Sequence, residues 1–178
     1  MTPESLIADL QKPWRHGEHI DARGIILDQP LILDGMVLRG VDLSGAQLRA
    51  GLSARGAQFC GLAWMRGVWV DGDLDLTGAT FQIDFRAEDV VAHRLVFDEV
   101  EVRGVLALAR LRARSVSMTN ALIMANLTLE RAEVTKGVDL SGSEIMGGYW
   151  ADGARLGAVV TDGCDLHGRQ HNWEATVA

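Results

Sequence analysis

Residue types that bind metal ions are present, but their spacing does not match a metal site. Three aspartates alternate in the segment 71–75, as at the start of a calcium-binding loop. Leu76 then takes the place of the glycine that such a loop requires, and no glutamate closes it. Of the five histidines, His167 and His171 lie four apart, but in a glycine-rich stretch rather than on a helix face. With no nucleophile motif and no phosphate-binding loop, we expect no metal, no cofactor and no enzymatic activity.

Arginine side chains supply the other candidate chemistry. Arg110, Arg112 and Arg114 alternate with apolar residues, so a strand here would project all three guanidinium groups from one face. Such a row could bind an acidic partner or a phosphate group. A strand face that is simply solvated is the alternative. An acidic segment, 84–101, precedes this row in the chain.

The elements that position these residues follow a repeat. From residue 105 to 146 the chain reads as tandem units of 10 or 11 residues with aliphatic side chains at fixed places. Apolar residues coincide at the doubled period of 21 residues, which predicts ladders such as Leu43–Trp64–Phe85. Further along the chain the offset becomes 22. A one-residue slip within a strand would exchange its buried and exposed faces, so we expect the extra residue to lie in a turn.

Several stretches of this repeat share one form, a small residue, a polar residue and then Leu or Phe. They are Val41-Asp-Leu43-Ser-Gly45, Ala46-Gln-Leu48-Arg-Ala50, Ala57-Gln-Phe59-Cys-Gly61, Ala79-Thr-Phe81, Val138-Asp-Leu140-Ser-Gly142 and Ala154-Arg-Leu156. This text resembles the pentapeptide-repeat family, over about residues 24–168. The resemblance implies an all-β solenoid, a right-handed, four-sided parallel β-helix with the central Leu or Phe pointing inward. Six to seven coils of 21–22 residues would fill this length.

The middle of the chain departs from that form. Between residues 82 and 114 the apolar alternation continues, but the Ala-(Asp/Asn)-Leu motif is lost. The β-helix can therefore have a less square cross-section there. Glycines recur at the expected corners, where positive φ or close approach is needed. Proline is absent after Pro30, as expected where nearly every backbone N–H joins a ladder.

The N-terminus has the signature of a short capping helix. Thr2 can serve as N-cap and Pro3 as the first helical residue, and Leu6 and Leu10 then share one face. Such a helix would cover the apolar end of the first coil, since solenoids need caps; a frayed tail is the alternative. The chain then divides into a capping helix (1–14), a β-helix solenoid (15–168) and a C-terminal tail (169–178).

The C-terminal end has no second capping helix in its sequence. The tail either folds back over the last coil or leaves that coil to pair with a second chain, forming a homodimer. In the second case Trp150 and Trp173 are the natural anchors.

Charged residues predict ion pairs between successive coils. Opposite charges coincide at offsets of 21 or 22 for Glu18–Arg39, Asp28–Arg49, Asp34–Arg55, Asp73–Arg94, Asp89–Arg110, Arg112–Glu133 and Glu133–Arg155. Each such surface pair contributes only tenths of a kcal/mol. Like charges coincide at Asp21–Asp42, Arg110–Arg131 and Glu130–Asp152. The excess of opposite charges favours a surface of ion pairs between coils, on a chain with a net charge of −7.

Composition limits the class of protein. The chain has 178 residues with 48% hydrophobic and 6% aromatic content, which suits a narrow aliphatic core. It has no apolar run long enough to cross a bilayer and no signal-peptide pattern at its start, so we expect a cytoplasmic protein with no membrane partner. Cys60 and Cys164 are expected to be free, buried thiols.

Three functions are compatible with these features. The first is a non-catalytic scaffold or protein-interaction rod, whose partner is a protein of unknown identity and not nucleic acid. The alternative, implied by characterised members of the resembled family, is a DNA mimic of the quinolone-resistance type that binds a type II topoisomerase such as gyrase. The third is an enzyme or ligand-binding β-helix. A mimic requires one continuously negative face, which distinguishes it from a scaffold.

Overall fold

A computed structural model describes residues 1–172 of the protein as one helix followed by short parallel strands. Trp173 and the rest of the predicted tail, 174–178, lie outside the described residues. The strands wind into a solenoid of seven coils, which confirms the predicted all-β solenoid with a single N-terminal helix.

The first three coils have four strands each. They are β1 (His19–Asp21), β2 (Ile26–Leu27), β3 (Leu31–Ile32), β4 (Val37–Leu38), β5 (Gly40–Asp42), β6 (Gln47–Leu48), β7 (Leu52–Ser53), β8 (Gln58–Phe59), β9 (Ala63–Trp64), β10 (Trp69–Val70), β11 (Asp73–Asp75) and β12 (Thr80–Phe81).

From the fourth coil on, each coil has three strands. They are β13 (Phe85–Arg86), β14 (Val91–Val96), β15 (Glu101–Val102), β16 (Leu106–Ala107), β17 (Arg112–Ser117), β18 (Leu122–Ile123), β19 (Leu127–Thr128), β20 (Glu133–Asp139), β21 (Glu144–Ile145), β22 (Tyr149–Trp150), β23 (Ala158–Val160) and β24 (Asp165–Leu166). A final strand, β25 (Gln170–His171), pairs with β22 and extends the solenoid into the segment expected to be tail.

The change from four strands to three comes from one corner. In the first three coils β2, β6 and β10 form one ladder and β3, β7 and β11 form another. Both ladders pair with the long strand β14, which joins them, and β17, β20 and β23 continue the same ten-stranded sheet. In the third coil three residues, 71–73, separate Val70 from Leu74, whereas two, 93 and 94, separate Ala92 from Leu95 in the fourth. Losing one residue straightens the corner into a continuous strand. We call this ten-stranded sheet the broad face.

The register corrects one predicted ladder. Val41 pairs with Ala63 and Ala63 with Phe85, so these coils are 22 residues long and not 21. The predicted ladder Leu43–Trp64–Phe85 is therefore wrong. Trp64 lies outside the core, half-buried, with the guanidinium carbon of Arg66 at 4.6 Å from its ring centroid.

The extra residue near the sixth coil also lies elsewhere than expected. Ala113 pairs with Val134 at an offset of 21 and Ser115 with Gly137 at 22, so the register shifts within β20 itself. The expectation of an insertion in a turn is wrong, because the residue is absorbed by a β-bulge on the broad face. A bulge of this kind sets two residues against one and redirects their side chains without changing the faces of the rest of the strand.

The core is a continuous stack of inward side chains. Phe59, Phe81 and Phe85 are fully buried, with successive ring centroids 4.7 and 4.6 Å apart. Offset aromatic stacking of this kind adds about 1 kcal/mol per pair beyond burial. Leu6 and Leu10 of α1 (Pro3–Leu10) are fully buried in the same cluster, so the helix covers the first coil. Thr2 caps it by accepting a hydrogen bond from the Ser5 amide at 3.2 Å.

Two tight turns in each coil place a residue of positive φ at the same position of every coil. The residues are Gly24, Gly35, Gly45, Gly56, Gly67, Gly78, Asp89, Glu99, Arg110, Asn120, Arg131, Gly142, Gly153 and Gly163. Their amides stack on the coil above, as from Gly45 N–H to the Arg66 carbonyl at 2.8 Å. The middle coils keep the turn conformation but have other residues in place of the glycine. The repeat motif is therefore lost there, although the backbone path of the coil is preserved.

Candidate functional site: a cationic groove on the broad face

The predicted row of three arginines separates into two environments. Arg110 lies in the turn before β17 with φ 57°, and its guanidinium forms an ion pair with Asp89 of the preceding coil at 2.7 Å. Arg112 and Arg114 are on β17, exposed on either side of the inward Ala113. The structure therefore brings two of the three arginines together and directs the third to a neighbouring carboxylate.

Arg112 and Arg114 line a shallow depression of about 680 Å³. Glu133, Thr135 and Lys136 of β20 complete its polar wall, and Ala92 and Ala113 form its floor. We call these five polar residues over the two alanines the cationic groove. Lys136 is a member that the sequence did not reveal, because only the bulge shows that it lies beside Arg114.

The bulge explains how the groove forms. Ala113 pairs with Val134 of β20, and Ser115 pairs with Gly137. Arg114, the single residue between them, is therefore opposite two residues, Thr135 and Lys136. Both side chains are exposed on the same side of the sheet as Arg114. Gly137 is required at the end of the bulge, because a Cβ there would lie 2.3 Å from the Ala158 carbonyl oxygen.

The cations of the groove lack acidic partners within residues 1–172. Arg112 pairs in register with Glu133 as predicted, but that carboxylate forms its ion pair with Arg155 of the next coil. Neither Arg112, Arg114 nor Lys136 has an ion pair within the described part of the chain. Three cations without an ion pair therefore line one depression, together with Glu133, whose carboxylate binds Arg155.

A second depression of about 410 Å³ adjoins the groove and shares Arg114 and Lys136 with it. His93, Arg94 and Asp73 also line it. Arg94 is paired with Asp73, whose carboxylate accepts its guanidinium hydrogen bonds at 2.5–3.1 Å. This hydrogen bonding lowers the pKa of Asp73 and keeps the pair charged at neutral pH.

Most of the predicted ion pairs between coils are present. Those found are Glu18–Arg39, Asp28–Arg49, Asp73–Arg94, Asp89–Arg110 and Glu133–Arg155. Asp34 and Arg55 do not pair through their side chains, because the Arg55 guanidinium binds Asp75 while its backbone amide donates to Asp34. Arg15, Arg131 and Arg169 also lack an ion pair within residues 1–172, but the groove brings three such cations together in one depression.

An acidic edge runs along the margin of the broad face where its strands end and the next turn begins. It consists of Asp34, Asp75, Asp98, Asp139 and Asp162, with Ser53, Thr77, Ser117, Thr119 and Ser141 between them. Four of the hydroxyls donate to the carboxylates, as Ser53 to Asp34 at 2.6 Å and Thr77 to Asp75 at 2.7 Å. Thr119 donates to Asp98 through its backbone amide at 2.8 Å. The carboxylates occur in the first, third, fourth, sixth and seventh coils, so the row of negative charge is interrupted.

Of the two tryptophans predicted to anchor a homodimer, only Trp150 lies within the described residues. Trp150 of β22 is half-buried and stacks on the His171 ring with centroids 5.4 Å apart. Trp173 lies outside the described residues. A homodimer through the last coil stays a prediction.

The remaining candidate residues are dispersed. Within residues 1–172 no three His, Cys, Asp or Glu side chains lie close enough to hold a metal ion, and no helix there is long and apolar enough to span a membrane. Cys60 and Cys164 are free but half-buried rather than buried. Burial and then Asp165 raise the pKa of the Cys164 thiol.

Fold and surface together define the chain as a parallel β-solenoid whose broad face carries a cationic groove. No model of a known protein family matches the chain, and no curated protein matches it.

Proposed function

We propose that the protein is a non-catalytic interaction scaffold whose cationic groove is the contact for a protein partner. One observation carries this proposal: Arg112, Arg114 and Lys136 line one depression and none of them has an ion pair within residues 1–172. Arg94, Arg110 and Arg155, in contrast, each form an ion pair with an acid of the preceding coil. A flat sheet with a shallow depression offers area for a protein surface. The interior of the solenoid is filled by buried apolar side chains over the described residues.

The proposal includes a pentapeptide-repeat-like origin for the solenoid. Its support is the repeat text at both ends of the chain and the two stacked turns in every coil. The departures are the straightened corner of the broad face and the bulge in β20. These departures create the groove, so the proposed site belongs to this chain and not to the repeat in general.

The scaffold proposal is tested by affinity capture with three versions of the protein. The first is the wild type, the second carries Arg112→Glu, Arg114→Glu and Lys136→Glu, and the third carries Arg49→Glu as a control on the same face. Arg49 is paired with Asp28 at 2.9 Å, so the control changes charge without touching the groove. We expect one protein to be retained by the wild type and the control and lost by the triple variant, and to bind directly when purified. Retention by all three versions would contradict the proposal.

The DNA-mimic alternative is favoured only by the acidic edge. Duplex DNA carries one charge per about 1.7 Å of axis, whereas carboxylates on this edge alternate with hydroxyls and are interrupted by Arg55. A gyrase supercoiling assay separates the two functions: the scaffold leaves supercoiling unchanged at any concentration, and a mimic inhibits it. Inhibition that persists in the groove triple variant would favour the mimic.

A further inference from the structure

We propose that the cationic groove binds a phosphate monoester carried by a side chain of the protein partner. This inference rests on the proposed scaffold function and specifies the chemistry that the partner presents. The occupant is a phosphorylated peptide segment, recognised through its phosphate group.

The amount of unpaired charge favours phosphate over carboxylate. A single arginine satisfies one carboxylate on this surface, as Arg110 does for Asp89 through two hydrogen bonds of 2.8 and 2.7 Å. The groove offers two such guanidinium groups and an ammonium group around one depression. A phosphate monoester carries a charge of about −1.5 to −2 and three acceptor oxygens, so it can engage several cations where one carboxylate would leave charge uncompensated.

The positions of the cations suit one small anion. Residues i and i+2 of a strand lie about 6.5–7 Å apart, and neighbouring strands lie about 4.8 Å apart. Arg112 and Arg114 are residues i and i+2 of β17, and Arg114 faces Lys136 on the neighbouring strand, across the bulge. Their flexible side chains can therefore converge on a group bound over Ala113. The Thr135 hydroxyl adds a neutral donor at the same margin.

The surroundings disfavour a long polyanion. The polar side chains of the groove lie on two neighbouring strands, β17 and β20, about 5 Å apart along the solenoid axis, and two paired acids lie in the groove or beside it. These are Glu133, which forms an ion pair with Arg155, and Asp73, which forms one with Arg94. With a net charge of −7 on the chain, an extended nucleic-acid backbone would meet repulsion beyond the groove. A single phosphate group needs only the three cations, and the Glu133 carboxylate beside them is held by Arg155.

The test is a titration of the ¹⁵N-labelled protein, followed by amide chemical shifts. The probes are a short Gly/Ser-rich peptide with one phosphothreonine, its unphosphorylated twin, inorganic phosphate and a single-stranded DNA 12-mer. The variants are Arg112→Gln with Arg114→Gln, and Arg49→Gln as the matched control. Thermal unfolding of each variant verifies that the fold is intact.

We expect saturable shifts at residues 112–115 and 134–137 with the phosphopeptide and none with its twin. The double variant should bind at least about tenfold more weakly, since it loses the charge-assisted hydrogen bonds of both guanidinium groups, and the control should bind as the wild type does. Equal binding of both peptides would overturn the inference, as would tighter binding of the DNA or binding of inorganic phosphate without the phosphopeptide.

The two proposals can fail separately. A partner that is captured through the groove without any preference for the phosphopeptide would leave the scaffold function and overturn the phosphate inference. Phosphopeptide binding by a protein whose partners ignore the groove variants would overturn the scaffold function instead.

Discussion

At the scale of single residues, the turns of the middle coils hold backbone conformations that their side chains do not favour. Asp89, Glu99, Arg110 and Arg131 have φ between 55° and 60° at positions that are glycine in the outer coils. The left-handed region costs a residue with a Cβ about 1–2 kcal/mol. A glycine at the same position avoids this cost, but it increases the conformational entropy of the unfolded chain, which offsets part of the gain.

The first prediction concerns Glu99, whose exposed side chain makes no hydrogen bond or ion pair within residues 1–172. Glu99→Gly should stabilise the protein by up to about 1 kcal/mol because it relieves the positive φ, measured by urea unfolding. The reverse change, Gly78→Ala, should destabilise it by about 1 kcal/mol, since a Cβ at Gly78 meets only atoms at 3.9 Å or beyond and only the strain remains. Destabilisation by Glu99→Gly would contradict this account of the middle turns.

The second prediction concerns the ion pair of Asp73 and Arg94. The guanidinium hydrogen bonds lower the pKa of Asp73 in the folded protein, so the pair stabilises the fold above pH 4 or so, the unfolded pKa. That contribution is lost as the pH falls through the folded pKa. Asp73→Asn should therefore lower stability at pH 7 by no more than about 1 kcal/mol, and the difference from wild type should disappear near pH 2. Asp71→Asn, which removes an aspartate without an ion pair within residues 1–172, is the control; a deficit independent of pH would refute the assignment.

At the scale of elements, the capping helix and the bulge each act through a small number of buried contacts. The helix places two fully buried leucines over the first coil. The bulge depends on one glycine that lies against the backbone of the next coil. Both can be tested by a single substitution.

The third prediction is that Leu10→Ala destabilises the protein by about 2–4 kcal/mol, because it opens a cavity at the junction between α1 and the first coil. Leu10 also supplies the carbonyl that accepts the Arg39 amide at 2.9 Å, and this backbone contact survives the substitution. Gln11→Ala, at an exposed position, should change stability by less than about 0.5 kcal/mol. Equal effects of the two substitutions in chemical unfolding would show that the helix does not seal the core.

The fourth prediction is that Gly137→Ala costs about 2–3 kcal/mol and changes the amide shifts of residues 112–115. The new Cβ would overlap the Ala158 carbonyl oxygen, so β20 and β23 must separate. Gly35→Ala is the comparison, since a Cβ there meets nothing within 4 Å and only the positive φ of 66° opposes it. If Gly137→Ala proves no more costly than Gly35→Ala, the bulge does not have the close backbone contact described here.

At the scale of the whole molecule, the solenoid is a stack in which each coil contacts only its neighbours. The middle strands bury their inward residues fully, whereas β23, β24 and β25 have only half-buried or exposed residues. Stability in such a stack varies along its length. The described part of the last coil is therefore the weakest.

The fifth prediction follows from that gradient. Amide hydrogen exchange should be fastest in residues 158–171 and slowest in β14, β17 and β20. If copies pair through the last coil, protection at 158–171 should rise with protein concentration while that of the middle strands stays constant. Uniform protection along the chain would contradict the gradient, and protection independent of concentration would contradict the homodimer.

The sequence determined the features that depend on local periodicity. Apolar residues at intervals near 21 required coils with one inward face, and the Thr2–Pro3 start required a helix. Most of the ion pairs between coils also followed, because stacked coils bring the same sequence offset together everywhere.

The tertiary structure decided where single residues were added or lost, and hence the site. A period of 21 with an occasional 22 is equally consistent with an insertion in any corner of a coil. Packing against the next coil selected the bulge in β20, because Gly137 there approaches the Ala158 carbonyl. That choice placed Lys136 beside Arg114. Arg112 and Arg155 both have the sequence offset that allows an ion pair with Glu133, so the sequence could not decide between them. The structure pairs Glu133 with Arg155 and leaves Arg112 without an ion pair.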